Sequence, residues 1–349
     1  MVASAAPGRR RPRCVKVLKV GTDFSGVDTC CTALHRMGIE HTLEFASDSD
    51  PACRKVLEHV HKPVMLHPNI LDRSDEVAVD LYVWTPPCQD FSSAGKRAGV
   101  TGKRQVGNLI SASLKYIKNK SPRVTVFENV PTLLSKKFVH VAKGIVRCQQ
   151  QLGYKVHTAV LNSKHYSLPQ DRRRVFIVGI RSDSVKHKFH FPARSAPVKV
   201  ASILDPLAPT DKPGRLPDNK RGKQRCLAAY KHVFLEKGVD PRRVPVMVDI
   251  DCSERFSTFG IDEARTVTKS RGGSGGPWVS SRGRRVTISE LMRLQGLHAE
   301  DIPAEELGLS ARQVGQMVGN AVPVNTMGCI LAEALSSAGL TKKTHTFPM

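Results

Sequence analysis

Short apolar runs rich in β-branched residues alternate with amphipathic stretches in the first half of the chain, and this alternation constrains the fold more than any other feature. The apolar runs predict strands at 15–20, 43–47, 64–66, 80–84, 124–127, 155–161 and 174–180. The amphipathic stretches predict helices at 28–37, 52–59, 109–118 and 138–152. Strands that alternate with helices form a mainly parallel sheet covered on both faces, so we predict a doubly wound α/β domain over 15–180.

The character of the sequence changes after residue 180. Residues 181–285 are rich in Pro, Gly and Arg, show weak periodicity and hold 22 Lys and Arg against 11 Asp and Glu. We predict a second, smaller and irregular domain here that faces an anion, with a loop at the glycine cluster 271–276. Helical patterns at 288–294, 311–318 and 324–338 predict a segment, 286–340, that returns to the first domain. Residues 1–14 and 341–349 are predicted tails.

The formal net charge of +23 indicates a polyanionic partner, most simply nucleic acid, although a generally basic surface is the alternative. No apolar run has membrane-spanning length and no secretory signal is visible, so we expect neither membrane association nor secretion. The basic run 8–13 is typical of a nuclear import signal, a phosphate-binding arm or a solvated tail. We therefore expect the nucleus in a eukaryote, and otherwise the cytoplasm or nucleoid. The nine cysteines show no zinc-binding spacing, which predicts free thiols and no metal.

A cysteine ends the strand predicted at 80–84, because Pro86-Pro87-Cys88 follows it directly. Open α/β sheets perform their chemistry at the carboxyl ends of such strands, although a lone cysteine after a turn is more often a core residue. Glu128 ends the strand predicted at 124–127, where packing does not explain an acid. Arg172 and Arg174 lead into the strand at 174–180 and could hold a carbonyl oxygen or a phosphate, or form a solvated face.

The turn Phe24-Ser25-Gly26 joins the first predicted strand to its helix, where a nucleotide-like cofactor approaches the backbone of an α/β sheet. Its single glycine does not fit a dinucleotide pyrophosphate site, and an ordinary strand–helix turn is an equal alternative. Asp48 ends the second predicted strand, at a distance suited to an acid that binds a ribose diol. Its alternative role is a helix cap.

Six motifs, in this order, resemble those of the DNA (cytosine-5) methyltransferase family. They are Phe-x-Gly at 24–26, Pro-Pro-Cys-Gln-x-Phe-Ser at 86–92, Glu-Asn-Val at 128–130, Gln-x-Arg-x-Arg at 170–174, Arg-x-Thr-x-x-Glu-x-x-Arg-Leu-Gln-Gly at 285–296 and Gly-Asn-Ala-Val-Pro at 319–323. The resemblance implies a Rossmann-like class I S-adenosylmethionine-dependent methyltransferase fold with a target recognition domain at 181–285. It also implies an enzyme, monomeric on duplex DNA, that methylates cytosine C5 with S-adenosylmethionine as donor.

The resemblance further implies a role for each matching residue. Cys88 would add to cytosine C6, Glu128 would donate a hydrogen bond or proton to N3, and Arg174, supported by Arg172, would hold O2 of the flipped-out base. The glycine-bearing loop after Cys88 would close over that base. Cofactor contacts are implied for Phe24, Ser25, Gly26, Asp28, Asp48, Ser49, Asn69, Ile70, Pro86, Leu109, Asn320 and Ala321. Substrate contacts are implied for Pro87, Gln89, Ser92, Asn129, Gln170, Arg271 and Gly273.

The chain departs from the family pattern on the cofactor side. Glycine is usual where Asp28 and Thr29 stand, a bulky residue is usual in place of Ser49, and aspartate is usual in place of Asn69. Two alternatives therefore stay open: an RNA cytosine-5 methyltransferase, although the Cys-Phe-Thr signature of that branch is missing, and a catalytically weak DNA-binding scaffold of the same fold. A nicotinamide-linked oxidoreductase does not explain the Pro-Pro-Cys turn. No motif in 181–285 predicts the recognised bases.

Overall fold

A seven-stranded sheet forms the centre of the molecule in the computed structural model, which describes residues 17–73, 77–88, 91, 106–252, 259–342 and 345–348. Its strands are β1 (Leu18–Asp23), β2 (His41–Ser47), β3 (Met65–His67), β4 (Leu81–Trp84), β5 (Val124–Asn129), β6 (Tyr154–Asn162) and β8 (Arg173–Arg181). The spatial order is β3-β2-β1-β4-β5-β8-β6. The first five strands are mutually parallel, and β8 is antiparallel to both of its neighbours. The predicted mainly parallel α/β sheet is confirmed.

Helices cover both faces of this sheet, which explains why every side chain of β4 and β5 is buried. One face packs against α1 (Thr29–Arg36), α2 (Pro51–Val56), α7 (Ile288–Arg293), α8 (Ala311–Asn320) and α9 (Val324–Ser337). The other face packs against α3 (Val106–Lys120) and α4 (Val139–Gln151), through a cluster of aromatic rings that includes Tyr82, Trp84 and Tyr116. The three C-terminal helices thus pack on the central sheet.

A second, antiparallel sheet lies within the basic segment. Its strands, in spatial order, are β10 (Phe259–Ile261), β9 (Val246–Val248), β12 (Trp278–Val279) and β13 (Arg284–Arg285). The helix α5 (Lys220–Lys237) packs on this sheet with the small residues Gly222, Cys226, Ala229 and Val233. Hydrophobic periodicity does not predict this helix. Its large apolar residues, including Phe234 and Leu235, are exposed, so they do not follow the spacing of the buried small residues.

Short elements join the two sheets. The strand β7 (Gln170–Asp171) pairs in parallel with β11 (Ala264–Arg265), which lies within residues 263–268, here called the return segment of the second domain. The prediction of a loop at 271–276 is wrong for the first half of that range, because α6 (Lys269–Gly273) is a helical turn. Glycine is required there, since a Cβ atom on Gly272 would lie 1.8 Å from the carbonyl oxygen of Gly315 in α8. In the described part of the chain, no helix has both the length and the apolar character needed to cross a membrane.

Candidate active site

A cavity of about 1450 Å³ opens at the carboxyl ends of the parallel strands, between the central sheet and the segments returning from the second domain. The turns that follow β1, β2, β4 and β5 form one wall, and residues of α6 and α8 form the opposite wall. At this edge the order in which strands are added to the sheet reverses between β1 and β4, the position at which open α/β sheets bind ligands. The cavity is therefore the candidate site.

Cys88 lies on this wall at the end of a turn that other segments hold in place. The side-chain amide nitrogen of Asn129 donates to the carbonyl oxygen of Pro86 at 3.0 Å, and the Thr85 hydroxyl donates to the carbonyl oxygen of Phe24 at 3.0 Å. Asn129 is fully buried and absent from the cavity lining, so its predicted substrate contact is replaced by support of the Pro-Pro turn. The thiol is thereby held on a stiff backbone.

Glu128 and Arg174 form an ion pair beside Cys88. The Nε atom of Arg174 lies 3.0 Å from Oε1 of Glu128, and both side chains are nearly buried. Burial raises the pKa of the Glu128 carboxyl, and this effect exceeds the lowering by the Arg174 and Arg172 charges. A buried carboxyl group whose pKa is raised can leave its arginine partner and take up a proton when a neutral ligand displaces water from the site.

The thiol of Cys88 is poorly ionised in the free protein. Burial raises its pKa, the Arg174 charge lowers it, the Glu128 charge raises it and the Arg172 charge lowers it again. Desolvation is the largest of these influences, so the two arginines only partly compensate for it. Burial therefore raises the pKa of both the acid and the thiol, and the two arginine charges lower both.

Arg172 reaches the cavity edge but its guanidinium is used to join segments. Its side chain donates to the carbonyl oxygens of Val267 at 2.7 Å, Ala321 at 2.9 Å and Gly319 at 3.2 Å. The residue is 2% exposed. These contacts tie the return segment of the second domain to the end of α8, so Arg172 supports the pocket rather than facing it openly.

The turn after β1 has an unusual backbone. Phe24, Gly26 and Asp28 all have positive φ angles, 59°, 58° and 49°. Asp28 is buried, and its carboxylate accepts from the Cys31 amide at 3.0 Å and from the Thr22 hydroxyl at 2.8 Å. Asp28 therefore caps α1 in a conformation that aspartate tolerates better than most residues.

Asp48 joins this turn to the end of β2. Its carboxylate accepts from the backbone N–H of Gly26 at 2.8 Å and from that of Asp50 at 2.9 Å. Burial raises its pKa, although these two hydrogen bonds lower it. The cap of α2 is Asp50, which accepts from the Ala52 amide, so the capping role considered for Asp48 belongs to its neighbour.

The cavity brings together most of the residues that the sequence analysis assigned. Those on its lining are Cys88, Glu128, Arg172, Arg174, Phe24, Ser25, Gly26, Asp28, Asp48, Ser49, Pro86, Pro87, Leu109, Asn320, Ala321 and Gly273. Asn69 and Ile70 are not on the lining, and their cofactor contacts stay predictions. Gln89, Ser92 and most of the loop after Cys88 lie outside the described residues, as does the basic run 8–13.

Two of the assigned substrate residues are engaged elsewhere. Gln170 is fully buried, where its amide nitrogen donates to the Leu294 carbonyl at 2.9 Å and its amide oxygen accepts from the Val267 N–H at 3.0 Å. The Nε atom of Arg271 donates to the Asp249 carboxylate at 2.8 Å. Gln170 therefore cross-links three segments, and Arg271 binds the sheet of the second domain.

The far wall carries polar residues that the sequence analysis missed. Lys269 and Ser270 of α6 and Arg312 and Gln316 of α8 all line the cavity. The Nζ atom of Lys269 lies 3.6 Å from the Asp50 carboxylate across the opening. No signal in the sequence distinguishes Lys269 and Arg312 from the rest of the chain's 54 lysines and arginines. Among the described residues, no group of three potential metal ligands occurs.

Comparison with known proteins agrees with this geometry. Residues 20–336 match the family model described as C-5 cytosine-specific DNA methylase. A type II methyltransferase of Neisseria gonorrhoeae is 30% identical over 306 residues, which cover 86% of this chain and 88% of the relative. A type II methyltransferase of Methanothermobacter thermautotrophicus is 30% identical over 224 residues, covering 62% of this chain and 64% of the relative. Against a Bacillus phage orphan methyltransferase the match spans only 34% of the relative's length.

Solved structures share the fold. The Dnmt2 methyltransferase of S. pombe superimposes with a TM-score of 0.62 at 14% identity, covering 91% of this chain and 98% of that one. A methyltransferase of Entamoeba histolytica gives a TM-score of 0.60 at 16% identity, with coverage of 92% and 98%. The family match spans both the sheet edge that bears Cys88 and the helices that close the cavity over it. The chain therefore belongs to the C-5 cytosine-specific DNA methylase family.

Proposed function

We propose that this protein transfers a methyl group from S-adenosylmethionine to C5 of cytosine in duplex DNA. The observation that carries the proposal is the convergence of Cys88, Glu128 and Arg174 in one cavity with the turn at Phe24–Gly26. A thiol, an acid of raised pKa and a guanidinium are the groups that nucleophilic activation of a cytosine ring requires. The chain carries all three on neighbouring strand ends.

Cys88 attacks C6 of the base as the thiolate, and a covalent bond between sulfur and carbon forms. The electron pair displaced from the C5–C6 double bond moves toward N3, where Glu128 supplies a hydrogen bond or proton. C5 then has enamine character and would take the methyl group of S-adenosylmethionine, with S-adenosylhomocysteine as the leaving group, and the proton on N3 would return to Glu128. A base next removes the C5 proton, the double bond reforms and the thiolate of Cys88 leaves.

Arg174 changes partner during this sequence. In the free protein it is paired with Glu128 at 3.0 Å, and its guanidinium also donates to the Arg173 carbonyl at 2.7 Å. A cytosine that inserts its O2–N3 edge would accept a hydrogen bond from Arg174 at O2. Glu128 would then lose its ion-pair partner and could take up a proton. The raised pKa of the Glu128 carboxyl favours that exchange.

The residues at the other end of the cavity fit S-adenosylmethionine, which supplies an electrophilic methyl group when bound. A Cβ atom added at Gly26 would meet no atom within 4 Å, so the backbone there is open to a ligand. Phe24 offers a ring for the adenine, Asp48 an acceptor for ribose hydroxyls, and Asn320 and Ala321 enclose the ligand from α8. Asp28 acts indirectly by capping α1.

The target base must leave the duplex to reach Cys88, since C6 is inaccessible in stacked DNA. Pro87 and Gly273 line the space that it would enter. The second sheet, with its excess of cations over 181–285, faces the flanking bases and phosphates. We further propose that the protein acts as a monomer on DNA, and in the nucleus if the source is a eukaryote.

Transfer of tritiated methyl groups to duplex DNA and to tRNA tests the proposal. We expect label in DNA, abolished by Cys88→Ala and retained by Cys148→Ala, a half-buried cysteine of α4 outside the cavity. Label in tRNA alone would identify an RNA enzyme instead. If folded wild-type protein labels neither substrate, the chain is a scaffold.

Duplex DNA that contains 5-fluorocytosine tests the covalent step separately. The substituted C5 has no proton to lose after methyl transfer, so the Cys88 adduct should accumulate as a denaturation-resistant complex. An active enzyme that forms no such complex would contradict the addition of Cys88 to C6.

A further inference from the structure

A strip of cationic side chains leads from the rim of the cavity along the edge strand β6. Its rim cluster consists of Lys164, His165, Arg173 and Arg194. Arg173 lines the cavity itself, and its side chain is 67% exposed. The N–H of Ser195, the residue after Arg194, donates to the His165 carbonyl at 2.8 Å, and burial together with the charges of Arg194, Lys164 and Arg173 lowers the pKa of His165.

The far cluster consists of Lys155, His157, Lys188 and His190. His157 of β6 lies 5.0 Å from the ring of Phe189, which in turn lies 5.1 Å from the ring of Phe191. Burial and the charges of His190, Lys188 and Lys155 lower the pKa of His157. Aromatic rings therefore anchor the far cluster to the sheet.

One segment without helix or strand, 187–195, connects the two clusters. It begins beside His157 and ends where the Ser195 N–H donates to the His165 carbonyl at 2.8 Å, with the Tyr166 hydroxyl donating to the Pro192 carbonyl at 3.2 Å. The segment thus follows β6 from Lys155 to the cavity rim. Eight strand residues at about 3.3 Å each give a strip of about 26 Å. That length spans about seven or eight base pairs along the axis of a duplex.

The strip has few acids to neutralise it. Asp171 pairs with Arg173 at 3.7 Å, and Glu263 pairs with Lys164 at 3.0 Å, both at the rim. Lys155, Lys188 and Arg194 take part in none of the ion pairs found among the described residues, and all three are exposed. An extended row of unneutralised cations beside a cavity suits a regularly spaced polyanion.

We propose that this strip binds phosphates of the duplex on one side of the target base, and so extends the DNA footprint beyond the cavity. The inference rests on the proposed function in taking DNA as the substrate. Cationic side chains that neutralise phosphates release counterions, so each contact contributes about 0.9 to the slope of log K against log salt concentration. The strip should therefore be visible in both the length dependence and the salt dependence of binding.

The test compares two triple variants that remove the same formal charge. The strip variant is Lys155→Ala, Lys188→Ala and Arg194→Ala. The control variant is Lys115→Ala, Lys118→Ala and Lys143→Ala, on exposed positions of α3 and α4 across the sheet. Fluorescence anisotropy measures binding to duplexes of about 12 and about 30 base pairs that are centred on one methylatable cytosine.

We expect the wild type and the control to bind the longer duplex more tightly than the shorter one. In the strip variant, the ratio of the two affinities should fall at least tenfold. The salt slope on the long duplex should fall by about 2 to 3 in the strip variant only. An unchanged slope, an equal fall in the control, or a loss confined to RNA duplexes of the same length would overturn the proposal.

Methyl transfer to the short duplex separates this inference from the proposed function. The strip variant should methylate that duplex at the wild-type rate, because none of its three substitutions lies in the cavity. If neither protein methylates DNA but the strip variant still loses length-dependent binding, the methyltransferase proposal fails while the strip proposal stands. If both methylate the short duplex and length preference is unchanged, the strip proposal alone fails.

Discussion

Burial and two opposing charges together set the reactivity of Cys88. Arg174 stabilises the thiolate, whereas Glu128 destabilises it, and burial disfavours it more than either. Glu128 is itself paired with Arg174. A cytosine that enters the site must therefore displace this ion pair before Glu128 can act on it. The raised pKa lowers the thiolate fraction of Cys88 near neutral pH and so slows its reaction with other electrophiles.

Alkylation of the free protein by iodoacetamide should report these charges directly. Because the pKa of the Cys88 thiol is raised above its ordinary value, its alkylation should accelerate with pH throughout the range 7 to 9. At fixed pH we expect Glu128→Gln to react faster and Arg174→Gln more slowly than wild type, each by up to about tenfold per pKa unit moved. Mass spectrometry of the Cys88 peptide measures the rate, and the reverse order would contradict the assigned charges.

His61 supports the turn that follows β1, although no motif predicts this role. The chain around it, Leu57–His61, is a π-helix, a form often found beside functional sites. Its Nε2 atom lies 2.9 Å from the carbonyl oxygen of Val27, between the left-handed residues Gly26 and Asp28. A carbonyl only accepts, so Nε2 carries the proton.

His61→Ala should weaken binding of S-adenosylhomocysteine by about five- to tenfold, the value of about one hydrogen bond of 1 kcal/mol. His59→Ala is the matched control, since that residue pairs with Glu306 on the surface at 3.1 Å. Calorimetric titration gives the affinities, and the turnover rate at saturating cofactor should change little. Equal affinities in the two variants would remove His61 from the cofactor site.

At the scale of elements, close backbone contact between α6 and α8 closes the cavity. Gly272 and Gly315 meet so tightly that neither accepts a Cβ atom, and Gly319 lies equally close to Thr268. The contact places Lys269 and Ser270 opposite Asp48 and Asp50. Small residues thus position a wall of the site while contributing no chemistry.

Gly272→Ala should destabilise the protein by about 3 kcal/mol or more, because overpacking against backbone has no flexible neighbour to relax. Gly144→Ala is the control, since Gly144 is exposed within α4 and a Cβ atom there meets nothing within 4 Å. That change should stabilise by about 0.5 to 1 kcal/mol. Urea unfolding measures both, and similar midpoints would contradict the close packing.

For the molecule as a whole, Arg172 is a buried polar link between the central sheet, the segment around Val267 and the C-terminal helices. It is buried, and its carbonyl partners lie on the return segment and on the end of α8. Losing it would leave several carbonyl groups without a donor in a dry environment. The cavity depends on this link, because Val267 and Ala321 flank it.

Arg172→Met should therefore lower the free energy of unfolding by at least about 3 kcal/mol, as for other buried charged networks that lose one member. Arg173→Met, one residue away and 67% exposed on its side chain, should change it by less than about 0.5 kcal/mol. Chemical denaturation distinguishes the two. Equal effects would show that the carbonyl contacts of Arg172 contribute little.

Local patterns were enough to predict the sheet, the order of its strands and helices along the chain, and the edge on which Cys88 and Glu128 lie. Hydrophobic periodicity and turn residues act over a few positions, so they are readable without knowing which segments meet. The resemblance to the methyltransferase family added roles for residues that match its motifs, and the family match confirms that resemblance.

Only the tertiary structure decided which polar residues face the cavity and which hold segments together. Asn129, Gln170 and Arg172 belong to the recognisable motifs, yet their side chains bind backbone groups of distant segments. Lys269 and Arg312 reach the cavity with no motif at all. Such assignments depend on which carbonyl groups are left without partners when the domains pack, and that is a property of long-range contacts, which sequence spacing does not encode.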